Sequence, residues 1–237
     1  MKILGVAVDN VTFGESIAQI EKFLRSGRSH HVVTVNPEYI VRTQNDKKLR
    51  TIINNADLRV PDGIGLVTLA GLKERVTGVD LIWQLAKLSE DRGYKIALLG
   101  GRGDTAKQTA ARLKLIHPRC KIVLVESLGQ VTSNNKQVTI INKQIKDKKP
   151  DITLVALGMG KQDLFINQLL KKTHIPVVIG VGGAFDMISG VTPRAPYILR
   201  TLGLEWLWRL IIEPKRIGRI LTATVVFPVL YLFSKKN

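Results

Sequence analysis

The sequence predicts an α/β fold, built as a Rossmann-like and mostly parallel β-sheet with flanking helices and a helical C-terminal appendage. Short β-branched and aliphatic runs alternate along the chain with longer amphipathic stretches. The runs are apolar almost throughout, which is typical of parallel strands covered on both faces by helices. Glycine-rich turns follow several runs, and in such sheets ligands bind beside the carboxyl ends of the strands.

The elements follow from periodicity and from turn residues. A run of β-branched or aliphatic residues predicts a strand, and apolar residues spaced three and four apart predict a helix. The predicted strands are residues 3–8, 31–35, 58–60, 95–100, 121–126, 151–157 and 176–181. The predicted helices are residues 14–25, 37–54, 63–71, 79–92, 104–116, 134–148 and 161–173. The lysines of residues 136–149 are interpreted as a solvated helix face.

A glycine and two prolines in residues 189–196 mark a boundary between an α/β catalytic body, residues 1–193, and an appendage, residues 194–237. The appendage has eight Lys or Arg against two Glu, two Trp, and an uncharged run at residues 220–233 closed by Lys235 and Lys236. These features favour contact with an anionic membrane surface. The run is shorter than the roughly 20 residues that cross a bilayer. The alternative is a helix docked on the protein's own core.

The formal net charge of +17 favours phosphate-rich partners: nucleic acid, anionic lipid or nucleotide-linked substrates. Only 5% of residues are aromatic, so the stacking platforms of nucleic-acid-binding proteins are not evident, and we expect no nucleic-acid partner. Cys120 is the single cysteine, which excludes an internal disulfide and fits a reducing compartment. The N-terminal apolar run is shorter than the h-region of a signal peptide, about 7–15 residues. We therefore expect a cytoplasmic protein.

Asp62 is the candidate catalytic residue, because it lies on a Pro- and Gly-framed loop after a predicted strand. A carboxylate at this edge of the sheet could act as a general base. It could equally cap the helix predicted at residues 63–71, since Asp is a favoured N-cap. Residue types alone leave both interpretations open.

Glycine loops follow two other predicted strands, at Gly100-Gly101 and at Gly183, and glycines allow a ligand to approach the backbone. Gly101, Gly103 and Ala106 also match the dinucleotide fingerprint, and Glu126 follows about 20 residues later, which would indicate an NAD-dependent oxidoreductase. The same glycines would serve any phosphate, or merely permit a tight turn. The sequence lacks D-x-D, H-E-x-x-H and Cys-pair motifs, so we expect no metal and no cofactor.

Seven short motifs occur in one order along nearly the whole chain. They are Thr34-x-Asn36, Pro61-Asp62-Gly63-x-Gly65, Arg75-Val76-Thr77-Gly78-Val79-Asp80-Leu81, Gly158-x-x-x-Lys161-Gln162, Val181-Gly182-Gly183-x-Phe185-Asp186, Arg194-Ala195-Pro196 and Glu205-Trp206-x-x-Arg209-Leu210-x-x-Glu213-Pro214-x-Arg216. Together they resemble the WecG/TagA/CpsF glycosyltransferase family. The sequence departs from the family pattern in two places. The segment between Gly65 and Arg75 is shorter than usual, and Asp163 stands where the family generally has Glu.

The resemblance implies inverting transfer of a sugar from a UDP-sugar donor to an undecaprenyl-diphosphate-linked acceptor at the inner face of the cell membrane. In the family's teichoic-acid branch, the donor is UDP-N-acetylmannosamine and the acceptor is N-acetylglucosaminyl-diphospho-undecaprenol. Other UDP-sugars, such as the uronic acid or a hexose, remain open. On the same basis, and from apolar surface that the short helices would leave exposed, we expect a homo-oligomer, most simply a dimer.

The resemblance also assigns roles to residues. Asp62 matches the catalytic base, and Arg75 matches an arginine near substrate phosphate. The remaining matches are Thr34, Asn36 and Gln162 as pocket residues, Asp186 for the nucleoside, and Arg209, Arg216 and Arg219 as appendage arginines that close over the site and meet the lipid diphosphate.

Overall fold

The computed structural model describes residues 1–128 and 135–234, so the predicted helix start at residue 134 and Lys235 and Lys236 lie outside the described residues. Within them, six parallel strands form one sheet. The chain begins with β1 (Lys2–Ile3) and β2 (Val6–Ala7), and the sheet strands are β3 (His30–Val35), β4 (Leu58–Pro61), β5 (Lys95–Gly100), β6 (Lys121–Glu126), β7 (Ile152–Ala156) and β8 (Val177–Gly180). Their order is β4-β3-β8-β7-β5-β6, which confirms the predicted fold class.

The predicted first strand, residues 3–8, is wrong. Instead, β1 and β2 pair antiparallel as a separate hairpin. Leu4 and Gly5 have φ values of 49° and 81° and form its two-residue turn. Two successive residues with positive φ suit the tight turns that join antiparallel strands.

The helices are α1 (Phe13–Leu24), α2 (Pro37–Gln44), α3 (Lys47–Asn54), α4 (Ile64–Ala70), α5 (Gly78–Arg92), α6 (Thr105–Ile116), α7 (Asn135–Lys148), α8 (Lys161–Leu170), α9 (Ala184–Ser189), α10 (Tyr197–Thr201) and α11 (Glu205–Ile212). The single helix predicted at residues 37–54 is two helices in the structure. Asp46 interrupts it and caps α3, because its Oδ1 accepts from the N–H of Leu49 at 2.9 Å. Asp favours this cap position over a helix interior.

Helices cover both faces of the sheet. Residues of α1, α5, α6 and α9 form a core with one face of the strands. On the other face, α2, α3 and α4 pack over β3, and α7 and α8 pack over β5, β7 and β8. Alternate strand residues serve the two cores, as with Val32 and Val33 in β3. All six strands end at the same edge, where the loops converge.

A C-terminal helix, Pro214–Ser234, follows α11 and is 21 residues long. Glu213 separates it from α11, and Pro214 occupies its first turn. Proline is tolerated there because the N–H that it lacks would have no partner within the helix. The helix extends the uncharged run of residues 220–233 by six residues towards the N-terminus, of which Lys215, Arg216 and Arg219 are charged. By length and composition alone it could therefore cross a membrane, unlike residues 220–233 taken separately.

The C-terminal helix also docks on the body, through Phe227 and Tyr231, which are buried with residues of α2 and α4. Its outer face, together with that of α10 and α11, remains exposed. This outer apolar face comprises Tyr197, Ile198, Leu202, Trp206, Leu207, Ile211, Ile217, Leu221, Val225, Val226, Val229, Leu230, Leu232 and Phe233. The two interpretations of the appendage therefore apply to opposite sides of it: one side is docked on the core, and the other is an exposed apolar surface.

We expect Phe227→Ala to loosen the docked helix, because it removes a ring that is 0% exposed. Truncating a buried Phe costs about 3–5 kcal/mol. Urea unfolding and limited proteolysis of the appendage measure the effect. Phe233→Ala is the matched control, since that ring is 67% exposed. Equal protease sensitivity of the two variants would contradict the docking contact.

Candidate active site

A cavity of about 880 Å³ lies at the carboxyl edge of the sheet and beneath the appendage. Body residues from the ends of β3, β4, β7 and β8 form one wall, and α11 and the C-terminal helix form another. Of the residues predicted to form a site, those lining the cavity are Thr34, Asn36, Asp62, Arg75, Gly101, Gln162, Gly183, Asp186, Arg209, Arg216 and Arg219. The exception is Gly100. An added Cβ there would lie 2.6 Å from the carbonyl oxygen of Ala156, so this glycine serves the close packing of β5 on β7.

Asp62 follows the last residue of β4, and its backbone N–H donates to the carbonyl of Val35 at 2.7 Å. The N-cap of α4 is Gly63, with no side-chain cap. The helix-cap interpretation of Asp62 is therefore wrong. Gly63 is needed for packing, because an added Cβ would lie 2.7 Å from Cδ of Pro37. The turn thus presents Asp62 to the cavity.

The electrostatic surroundings of Asp62 make it a stronger base than an exposed Asp. Burial raises the pKa of Asp62 to about 6, and the carboxylate of Glu205 acts in the same direction. Arg75, the backbone amide of Gly78 and Arg209 lower the pKa and offset part of this effect. The group is ionised above about pH 6 and can then accept a proton.

A buried hydrogen-bonded network stabilises the body wall of the cavity. The Tyr39 hydroxyl donates to Oδ2 of Asp163 at 2.6 Å and accepts from Nε2 of Gln162 at 2.9 Å. Oε1 of Gln162 accepts from the N–H of Gly182 at 2.9 Å. Burial raises the pKa of Asp163 to about 6, against the effect of the Tyr39 hydrogen bond. The network ties α2 and α8 to the glycine loop after β8.

Two other predicted pocket residues also make structural hydrogen bonds. The Thr34 hydroxyl donates to the carbonyl of Gly180 at 2.9 Å, which joins β3 to β8. Oδ1 of Asn36 caps α2 by accepting from the N–H of Tyr39 at 2.9 Å. Asp163, which stands where the family generally has Glu, caps α8, since its Oδ2 accepts from the N–H of Gly160 at 3.1 Å.

Four of the five arginines that line the cavity form ion pairs with glutamates. Arg75 pairs with Glu205 at 3.1 Å. The remaining pairs are Arg209 with Glu213 at 3.4 Å, Arg216 with Glu213 at 3.0 Å, and Arg219 with Glu38 at 2.8 Å. Burial lowers the pKa of Arg209, and Arg216 and Arg219 lower it further, so the appendage cations are crowded together. Such a cluster suits a ligand with several negative charges.

The glycine loops complete the body wall of the cavity. Gly101 and Arg102 line it after β5, and Gly183 and Asp186 line it after β8. Glu126, the acidic residue of the dinucleotide fingerprint, instead accepts from Nε2 of Gln144 at 2.7 Å and does not line this cavity. No observation favours the NAD interpretation. Residues 1–128 and 135–234 contain no group of three or more His, Cys, Asp or Glu that could hold a metal ion.

Sequence reasoning missed three contributors: Glu38, Tyr39 and Glu205, all of which line the cavity. Glu205 is the first residue of the last of the seven motifs, and this position could have indicated a site residue. Motif membership alone did not distinguish it from Arg194, which lies outside the cavity and forms an ion pair with Asp80 at 2.7 Å.

Comparison with known proteins agrees with the motifs. A family model described as "Glycosyl transferase WecG/TagA/CpsF family" matches residues 1–237. Proteins named N-acetylglucosaminyldiphosphoundecaprenol N-acetyl-beta-D-mannosaminyltransferase from Staphylococcus aureus strains NCTC 8325 / PS 47 and COL are each 31% identical over 225 residues, covering 92% of this chain and 87% of the relative. The protein of that name from strain MRSA252 is 30% identical over the same coverage.

We expect Tyr39→Phe to destabilise the protein by about 1–3 kcal/mol, because it leaves Asp163 and Gln162 buried without their shared partner. Urea denaturation measures the change. Tyr197→Phe is the control; its ring is 70% exposed, and we expect an effect within about 0.5 kcal/mol. Similar stabilities of the two variants would show that the network contributes little.

Proposed function

The chain belongs to the WecG/TagA/CpsF glycosyltransferase family, and on that premise we propose that it transfers N-acetylmannosamine from UDP-N-acetylmannosamine to N-acetylglucosaminyl-diphospho-undecaprenol. The product would be the linkage unit of wall teichoic acid. The proposal extends to this chain the activity that its relatives' names describe.

The observation that carries the chemistry is Asp62, a carboxylate with a pKa of about 6 in a cavity that also holds an arginine cluster. In inverting transfer, the acceptor hydroxyl oxygen attacks the anomeric carbon while the bond from that carbon to the UDP oxygen breaks. Asp62 takes the hydroxyl proton, and the electron pair of the broken bond leaves with UDP. Cationic groups stabilise the charge that develops on the leaving diphosphate.

The donor is proposed to lie against the glycine loops. Gly101 and Gly183 contribute backbone to the cavity lining, and Asp186 lies in the first turn of α9, where its carboxylate would meet a nucleoside hydroxyl. Arg75 lies on the Asp62 side of the cavity and would meet donor phosphate. Thr34, Asn36 and Gln162 would shape the pocket mainly by holding its walls, given their hydrogen bonds.

The acceptor is proposed to approach from the appendage. Arg209, Arg216 and Arg219 line the cavity from that side, and the outer apolar face lies on the same segment. Insertion of that face into the inner surface of the cell membrane would bring the arginines to the lipid's diphosphate. The appendage, residues 194–237, would thus act as anchor and lid on the catalytic body, residues 1–193. A homodimer that covers part of the same apolar face in solution remains a proposal.

The experiment that tests the function is a donor panel. Purified protein is incubated with lipid-linked N-acetylglucosamine and with UDP-N-acetylmannosamine, its uronic acid, UDP-N-acetylglucosamine or a UDP-hexose. We expect product with UDP-N-acetylmannosamine above all others. Preference for another donor would keep the family chemistry and overturn the substrate assignment.

We expect Asp62→Asn to lower turnover by about 10²–10⁴-fold, since the amide keeps the shape but cannot accept a proton. Folding and UDP binding, followed by thermal unfolding with and without UDP, should persist. In the unsubstituted protein, kcat/KM should rise with pH through about 6 as Asp62 ionises. Near-normal turnover by the Asn variant would exclude Asp62 as the base.

We expect the double variant Arg216→Glu, Arg219→Glu to lose transfer to the lipid-linked acceptor and to bind anionic liposomes more weakly. The reason is that both cations line the cavity beside the proposed membrane surface. Lys215→Glu is the matched control, because it reverses a charge on the same helix but outside the cavity lining. Full transfer activity in the double variant would contradict the diphosphate role of these arginines.

A further inference from the structure

Glu205 is an appendage residue whose charge affects the pKa of the proposed base, Asp62, more strongly than that of Arg209 does. It is the first residue of α11, where a carboxylate is favoured by the helix dipole. The turn before it, at Gly203, packs against the residues that follow Asp62. Gly203 has a φ of 73°, and an added Cβ would lie 2.8 Å from Cγ1 of Ile64, two residues after Asp62. The position of Glu205 therefore depends on the docking of the appendage.

Glu205 binds the arginine that flanks Asp62. The Arg75–Glu205 ion pair is 3.1 Å long, and the two side chains are only 19% and 14% exposed. Arg75 is itself tied to the Asp62 loop, because the N–H of its neighbour Val76 donates to the carbonyl of Pro61 at 2.7 Å. One body carboxylate, one body arginine and one appendage carboxylate thus meet in the cavity.

The three charges compete. Among the described residues, the structure gives Arg75 an ion pair with Glu205 and gives Asp62 none. Arg75 lowers the pKa of Asp62, whereas Glu205 raises it. Removing Glu205 would therefore act twice: it deletes a like charge near Asp62, and it releases Arg75 to pair with Asp62. Both changes stabilise the Asp62 carboxylate and weaken it as a base.

We propose that Glu205 is a positioning residue for the transfer reaction, whose carboxylate engages Arg75 and thereby leaves Asp62 unpaired and ready to accept the acceptor's proton when the appendage is docked. The inference rests on the proposed function. It assigns to the appendage a second contribution besides its arginines, since the appendage then sets the basicity of a residue on the body.

The test is the pH dependence of kcat/KM for Glu205→Gln between pH 5 and 9, with UDP-N-acetylmannosamine and the lipid-linked acceptor. We expect the acidic limb of the kcat/KM profile to move to lower pH by about one unit. At high pH, where the profile is flat, kcat should fall about tenfold, as expected for a weaker base. Glu205→Asp keeps the charge and should keep the limb near its original position. Glu213→Gln is the matched control: it neutralises an appendage glutamate that holds Arg209 and Arg216, and it should move the limb much less, because Arg209 affects the pKa of Asp62 less than Arg75 and Glu205 do.

For a second variant we expect the acidic limb to shift in the opposite direction, and this test does not require Glu205→Gln to fold. Arg75→Gln removes the cation that lowers the pKa of Asp62, so its acidic limb should move to higher pH. An unmoved limb in Glu205→Gln, with any loss of rate, would reduce Glu205 to a structural anchor. Complete loss of turnover with intact UDP binding would make Glu205 a proton acceptor itself. Either result overturns the inference, whereas a wild-type protein inactive with every UDP-sugar would overturn the proposed function instead.

Discussion

Docking of the C-terminal helix on the body is the interaction on which the candidate site depends. Phe227 and Tyr231 complete a core shared with α2 and α4, and in doing so they bring Arg219 to Glu38 across the cavity. Without that contact, the carboxyl edge of the sheet would carry Asp62 in an open groove. We expect water then to reach the carboxylate more readily and to reduce the burial that raises its pKa. On the proposed function, the basicity of a body residue would thus depend on the packing of Phe227 and Tyr231, which lie more than 160 positions away in the chain.

Ion pairs between arginines and glutamates run along the lining of the cavity. Glu38, Glu205 and Glu213 hold four of the five arginines that line it, so these four cations are ordered before any phosphate arrives. An anionic ligand must break these pairs to gain the arginines, which lowers net affinity while preserving geometry. The arrangement favours ligands that engage several arginines at once over single phosphates.

The sheet was predictable because its strands are continuous apolar runs, and the bounds of β3 to β8 follow those runs closely. The hairpin at residues 2–7 was not, since the run at residues 3–8 gives no sign that Leu4 adopts a positive φ. The break between α2 and α3 depends on one side-chain cap at Asp46, which periodicity does not detect. For the site, the motifs located Asp62 and the arginines, but partner choice is a tertiary property. That Glu205 pairs with Arg75, or Gln162 with Tyr39, depends on distances which residue types do not encode.

The outer apolar face has a consequence for handling the protein in water. Ile211, Leu221, Val225 and Phe233 are among its exposed apolar side chains, and they belong to a strongly cationic protein. In dilute aqueous buffer, such a surface drives self-association, and the particle size observed will then depend on protein concentration, salt and detergent rather than on a fixed stoichiometry. Micelles or lipid nanodiscs offer this face the environment that its composition matches. Quaternary structure is therefore best measured there, with the colloidal behaviour in buffer treated as a property of the exposed helix.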